Sequence, residues 1–151
     1  MTTIDGVGVS TVMTVIGEIG TDLTPWRSDK AFGSWLGLSP NQRKSGNRVI
    51  SSATRPIANR CTNAFRMAAQ ALSNSKSALG AFYRRLRARI GAPKAITAAA
   101  YKIARIWYRM LTTKQPYEDV GQAAYDARFA ERRLQGITRA AKDLGYKLTP
   151  A

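Results

Sequence analysis

The 151-residue chain is long enough for one compact domain, and its 44% apolar content belongs to a globular core rather than a disordered chain. Its 24 Lys and Arg stand against only 9 Asp and Glu, a formal net charge of +15 that solubility does not require and that points to a polyanionic partner. The lack of histidine excludes Ser-His-Asp, Cys-His and histidine-ligated metal sites, and the single Cys61 excludes an intrachain disulfide.

In chain order the pattern is helical almost throughout. A first helix is expected over Ser10 to Ile19 with Ser10 as its cap, and a second from Ser28, again a cap, to Leu36. Gly37 and Pro40 then break the chain and open a basic loop around Ser45. A third helix is expected from Pro56, with Ile57, Cys61, Phe65, Ala68 and Leu72 on one face. The fourth, Ser77 to Ile90, should bury Leu79, Phe82, Leu86 and Ile90 and end at Gly91. The fifth begins at Pro93, carries Ile96, Ala99, Ile103, Trp107, Met110 and Leu111, and is closed by Pro116. The tail reads as one or two helices broken at Gly136 and Gly145. The fold class is therefore all-α: a compact helical domain over residues 1–121, with a helical extension over 122–151 that packs on it or trails it. No apolar run reaches the ~18 residues of a membrane span, no secretion signal opens the chain, and a reducing cytoplasm fits the lone cysteine.

Charge is distributed as unevenly as its total suggests. From Lys30 through Tyr117 there are 17 basic residues and no acid. A generic surface mixes both signs, because like charges repel. Nucleic acid explains the excess, since each phosphate neutralised by Lys or Arg releases condensed counterions.

Three stretches carry candidate chemistry. At the N-terminus, Ile4, Gly6, Val7 and Gly8 precede an apolar helix, like the second half of a helix-hairpin-helix, whose turn offers unpaired N–H groups to a phosphate. The leading helix is missing, so the motif is truncated or borrows a partner; an ordinary tight turn is the alternative. In GLSPNQRKSGNRVISS, the hydroxyl of Ser45 sits among Arg43, Lys44 and Arg48, with Arg55 and Arg60 just beyond. Those cations could hold a phosphate, and Gly46 would let the backbone approach it. No general base is evident, and on spacing alone a DNA-contact loop with an unreactive serine reads ahead of a nucleophile. In the third stretch, Arg84, Arg85, Arg87 and Arg89 line one helix face with no acid nearby, and phosphate contact accounts for them better than solvation does. Arg66 joins these as a nucleic-acid-contact candidate. Tyr83, Trp107, Tyr108 and Cys61 read as core or rim residues.

The runs IDGVGVSTVMTVIGEIG, WLGLSP, SGNRVISSATRP, AFRMAAQAL, ALGAFYRRLRARIG and PKAITAAAYKIARIWYRML together resemble the C-terminal domain of Piv-related insertion-sequence transposases, the IS-one-ten class. The resemblance covers about Ile4 to Gly121, and the ending LGYKL is also similar. It implies an enzyme that cuts and rejoins DNA through a phosphoserine link, with the serine on this domain and divalent metal held by an acidic RuvC-like domain. It makes Ser45, in the Ser-Gly that follows Gly37-Leu38-Ser39-Pro40, the nucleophile. It also implies DNA as partner, a structured guide RNA, and a homo-oligomer in the full-length enzyme. Asn47 stands where the family often has a second glycine. These residues contain no acidic RuvC-like domain, so no cofactor is expected on this chain, and magnesium only together with that domain. Alone, the chain is expected to bind nucleic acid but hardly to catalyse. The alternatives are a non-catalytic nucleic-acid-binding module and, less favoured, a basic scaffold that oligomerises through its apolar helix faces.

Overall fold

The computed structural model describes residues 2–149. Its elements are α1 (Val9–Ile19), α2 (Asp29–Trp35), β1 (Arg43–Ser45), β2 (Arg48–Ser51), α3 (Arg60–Ala71), a 3-10 turn (Leu72–Asn74), α4 (Ala78–Ile90), α5 (Ala92–Thr113) and α6 (Gly121–Asp143). The architecture is a mostly helical domain, as expected, with one addition: β1 and β2 pair antiparallel as a two-stranded hairpin.

The spine is α5, a 22-residue helix that α2, α3 and α4 all pack against. Ala95, Ala99, Ala100, Ile103, Ala104 and Trp107 are its buried residues, recurring at three- and four-residue steps. Four of the six are alanines, so neighbouring helices approach closely while Ile103 and Trp107 fill the remaining volume. Aromatic rings extend that core. Phe32 of α2 meets Phe65 of α3 edge-on at 6.4 Å, and Phe65 meets Trp107 at 6.0 Å. Tyr108 donates its hydroxyl hydrogen to the Trp26 carbonyl at 2.6 Å. Trp107 and Tyr83 are buried and Tyr108 half-buried, so all three serve packing. Cys61 is fully buried, and burial, followed by the charge of Glu18, pushes its thiol up to about 11.

Several helix limits differ from expectation. Gly8, not Ser10, is the N-cap of α1, and Ser10 lies within the first turn. α3 starts at Arg60 rather than Pro56, because the Asn59 side chain accepts from the N–H groups of Cys61 (2.7 Å) and Thr62 (3.4 Å), a cap that Pro56 cannot supply. Ile57 consequently precedes the helix and stays 37% exposed instead of joining its apolar face. Ser28 and Ser77 cap α2 and α4 as expected, and Gly91 ends α4. On α4, however, Tyr83 rather than Ile90 fills the buried face. α5 stops at Thr113, ahead of Pro116. α6 runs unbroken through Gly136, since one mid-helix glycine costs only about 1 kcal/mol, and it ends just before Gly145.

Candidate nucleic-acid interface

The segment around Ser45 is a hairpin rather than a loop. Ser45 pairs with Arg48, Lys44 with Val49 and Arg43 with Ser51, and a bulge between the last two pairs leaves Ile50 unmatched. Gly46 and Asn47 form the two-residue turn, with Gly46 at φ +56°. A positive φ at the first turn position alone is the requirement of a II′ hairpin turn, which glycine meets without strain. Asn47 needs no such freedom, so its departure from a second glycine is accommodated.

Directly paired residues point to the same face of a hairpin, and alternate residues share it. Arg48 therefore stands beside Ser45, with Arg43 two residues along on the same side, while Lys44 and Val49 occupy the reverse. The register thus divides the cations that spacing had grouped. Every residue from 41 to 50 is exposed. Among the described residues no side chain hydrogen-bonds to Ser45, and no group of three His, Cys, Asp or Glu could hold a metal.

The body grips the hairpin at its base. Pro40 bridges Thr54, and Asn41 N–H donates to the Ala53 carbonyl at 3.0 Å. Arg55 donates from Nη2 to the Ser34 hydroxyl (2.8 Å) and carbonyl (3.3 Å). Buried Thr62 donates its hydroxyl hydrogen to the Leu36 carbonyl at 2.7 Å. Arg55 thus fastens the base of the hairpin to α2 through the donors that a phosphate would use.

The N-terminal glycine turn packs closely against α3. Gly6 has φ +81°, and a Cβ there would lie 2.3 Å from the Ala68 carbonyl oxygen, so only glycine permits this approach. Gly8, by contrast, faces open space and caps α1 with no side-chain hydrogen bond and no acid in the first turn. The head of α1 thus keeps its partial positive charge uncompensated. Beside it runs a groove of about 540 Å³ between α1 and α3, lined among others by Gly6, Ser10, Thr11, Arg60, Asn63 and Met67. Arg60, exposed at the start of α3, belongs to this groove.

The arginines of α4 divide in two. Arg84 donates to the carbonyls of Ser73 (3.2 Å) and Ser75 (2.6 Å) and to Gln122 Oε1 (2.7 Å). Arg85 pairs with Asp126 at 2.7 Å, and its guanidinium lies 3.5 Å from the centre of the Phe129 ring. Both therefore join α4 to α6, and the acid that sequence spacing could not place comes from 41 residues away. Arg87 and Arg89 remain exposed, and Arg66 is half-buried with an unpartnered Nε.

Charge across the rest of the basic window is largely unbalanced. The ion pairs of the described residues use only two acids: Asp126, and Asp29 with Arg105 (2.9 Å) and Arg109 (3.3 Å). Lys102, whose ammonium sits 4.4 Å from the Phe82 ring centre, has its pKa lowered by burial first and then by the charges of Arg105 and Arg132. None of the described helices is long and apolar enough to cross a membrane.

No curated protein and no solved structure matches the chain. The sequence model of the Transposase IS116/IS110/IS902 family matches residues 1–84, a span containing the glycine turn, the groove and the whole serine hairpin. With more than half of its length matched, the chain belongs to the IS116/IS110/IS902 family of transposases.

Proposed function

We propose that this chain is the DNA-gripping, serine-bearing part of a transposase. The observation that carries the reading is Ser45, exposed at the tip of a projecting hairpin with Arg48 across from it and Arg43 on the same face. In the proposed step, Ser45 Oγ forms a bond to a DNA phosphorus, and the bond from that phosphorus to one deoxyribose oxygen breaks. The serine proton passes to a base, and the leaving oxygen takes up a proton. Arg43 and Arg48 neutralise the non-bridging oxygens as charge redistributes. The free N–H groups at the head of α1, with Arg60, hold a neighbouring phosphate without reading sequence. Arg87 and Arg89, and Lys44 from the reverse of the hairpin, add further backbone contacts.

The base is the component that these residues do not provide, since no carboxylate hydrogen-bonds to Ser45 among the described residues. That favours chemistry completed by an acidic domain, and it also supports a second reading, a non-catalytic module that binds DNA or a guide RNA. The two separate experimentally. With an acidic RuvC-like domain supplied, wild type should form a covalent protein–DNA adduct that survives denaturation, and Ser45→Ala should form none while binding DNA normally. Adduct formation by Ser45→Ala would overturn the serine assignment. Affinity that stays flat across a salt series would overturn both nucleic-acid readings.

A further inference from the structure

The serine hairpin is a lever held at one end. Residues 41–50 are all exposed, so packing against the helices does not set the direction of its strands. Direction is set at the foot, where the chain enters through Leu36 and Leu38, both buried, and leaves through Arg55. The Pro40–Thr54 bridge closes the foot, and Ser45 stands five residues beyond it. At about 3.3 Å per residue, the hydroxyl lies about 17 Å from that bridge. A tilt of about 10° at the foot therefore carries Ser45 about 3 Å sideways. A misplacement of about 1 Å can already cost a positioned reaction about 100-fold. A hydroxyl carried that far out needs a foot that does not rock.

We propose that Arg55 is a positioning residue, which fixes the aim of Ser45 by latching the outgoing limb of the hairpin to α2. The inference rests on Ser45 as the reacting group, and three observations carry it. First, the Arg55 side chain is exposed, yet it turns back onto its own chain: Nη2 donates to the Ser34 hydroxyl at 2.8 Å and to the Ser34 carbonyl at 3.3 Å. That carbonyl lies in the last turn of α2, where the negative end of the helix dipole attracts a guanidinium. Second, the two limbs are pressed together at this residue. A Cβ on Gly37 would lie 3.0 Å from the Arg55 carbonyl oxygen, so the backbone of Arg55 abuts the incoming limb while its side chain holds the helix that feeds it. Third, α2 is itself anchored. Phe32 and Gly33 are buried, and the Thr62 hydroxyl of α3 holds the Leu36 carbonyl at 2.7 Å. The latch therefore ties the hairpin to the core rather than to another surface segment.

A latch and a phosphate contact predict different behaviour of the same arginine. Nitroxide labels on Asn47→Cys, in the turn, and Gln70→Cys, exposed on α3, report the aim of the hairpin in the full chain without nucleic acid; buried Cys61 does not compete. The distance distribution between them should broaden in both Arg55→Ala and Ser34→Ala, with helical circular dichroism unchanged. Binding of DNA by Arg55→Ala should keep the wild-type slope of log affinity against log salt, where a lost phosphate contact would lower it by about 1. With an acidic domain supplied and DNA saturating, Arg55→Ala should slow the covalent adduct about tenfold or more. Ser34→Ala should slow it in the same sense although it removes no charge, and the double substitution should be no slower than Arg55→Ala. A salt slope reduced by about 1 in Arg55→Ala, an unbroadened distance distribution, or Ser34→Ala reacting at the wild-type rate would each overturn the latch. The serine reading fails separately, as adducts formed by Ser45→Ala.

Discussion

Ser45 and Arg48 face each other as the last cross-strand pair before the Gly46–Asn47 turn, whereas Lys44 pairs with Val49 on the opposite side. The two cations should therefore differ in function although both flank the serine in sequence. Each alanine variant should reduce the slope of log affinity against log salt by about 1, the loss of one phosphate contact. In the reaction completed by an acidic domain, Arg48→Ala should slow adduct formation by about tenfold or more, equivalent to about 1.4 kcal/mol. Lys44→Ala should leave that rate within about threefold, because its contact is the same in ground and transition states. Timed denaturing gels of the adduct measure both.

Gly46 predicts a local effect. Its φ of +56° is strained for a side-chain-bearing residue, but an added Cβ would meet nothing within 4 Å. Gly46→Val should cost about 1–2 kcal/mol at that position through the backbone alone. Because the hairpin is exposed throughout, the loss should appear as faster amide exchange over residues 43–51 with almost no change in global Tm.

The N-terminal glycines should behave oppositely to each other. Gly6→Ala must displace the Ala68 carbonyl and adopt φ +81°, so it should destabilise the fold by about 3 kcal/mol or more, in the tail of single-substitution effects. Gly8→Ala has open space and an extended φ of −85°, and should cost no more than about 1 kcal/mol as a poorer cap. Chemical denaturation of the two variants tests the contrast.

Asp29 gives the fold a pH dependence of known sign. Burial alone would raise its carboxyl pKa, but the hydrogen bond and charge of Arg105, with the charge of Arg109, hold it below the usual value of 3.8. A carboxylate with a depressed folded-state pKa stabilises above its unfolded pKa and loses that contribution as pH falls through the folded value. Asp29→Asn should therefore lower stability by about 1–2 kcal/mol at neutral pH. The gap between the two proteins should close as pH falls below the usual carboxylate range and through the depressed folded-state value. Thermal melts across that range measure it.

What could be read from the residues was whatever short-range chemistry decides. Ser28 and Ser77 cap, Gly91 stops a helix, and the three- and four-residue spacing of α5 places Ile103 and Trp107 inward, each within a few residues of its cause. The hairpin was also signalled locally: Gly46-Asn47 between Arg43-Lys44-Ser45 and Arg48-Val49-Ile50-Ser51 is a two-residue turn between short strands. The cations hid it, because neither strand shows apolar alternation. Other features depend on distant partners. Asp126 reaches Arg85 and Gln122 reaches Arg84 only once α6 lies along α4, so those arginines look free in sequence and are occupied in the fold. The backbone that packs on the glycine turn arrives likewise from more than 50 residues downstream, at Ala68 of α3.

Asp119 bears on where this molecule can be cut. Its carboxylate accepts from the Ala78 N–H (3.1 and 3.2 Å) at the head of α4, from the Gly121 N–H (3.0 Å) at the head of α6, and from the Tyr117 hydroxyl (3.1 Å). One side chain thus ties the connection after α5 to an element lying 41 residues earlier. The family signature stops at residue 84, midway through α4, but the material that closes the interior arrives afterwards: a peptide trimmed to that portion would leave Phe32 and Phe65 without Trp107 and the Ala78 N–H without the Asp119 carboxylate. Excising residues 1–84 should therefore yield an aggregating fragment rather than a minimal domain.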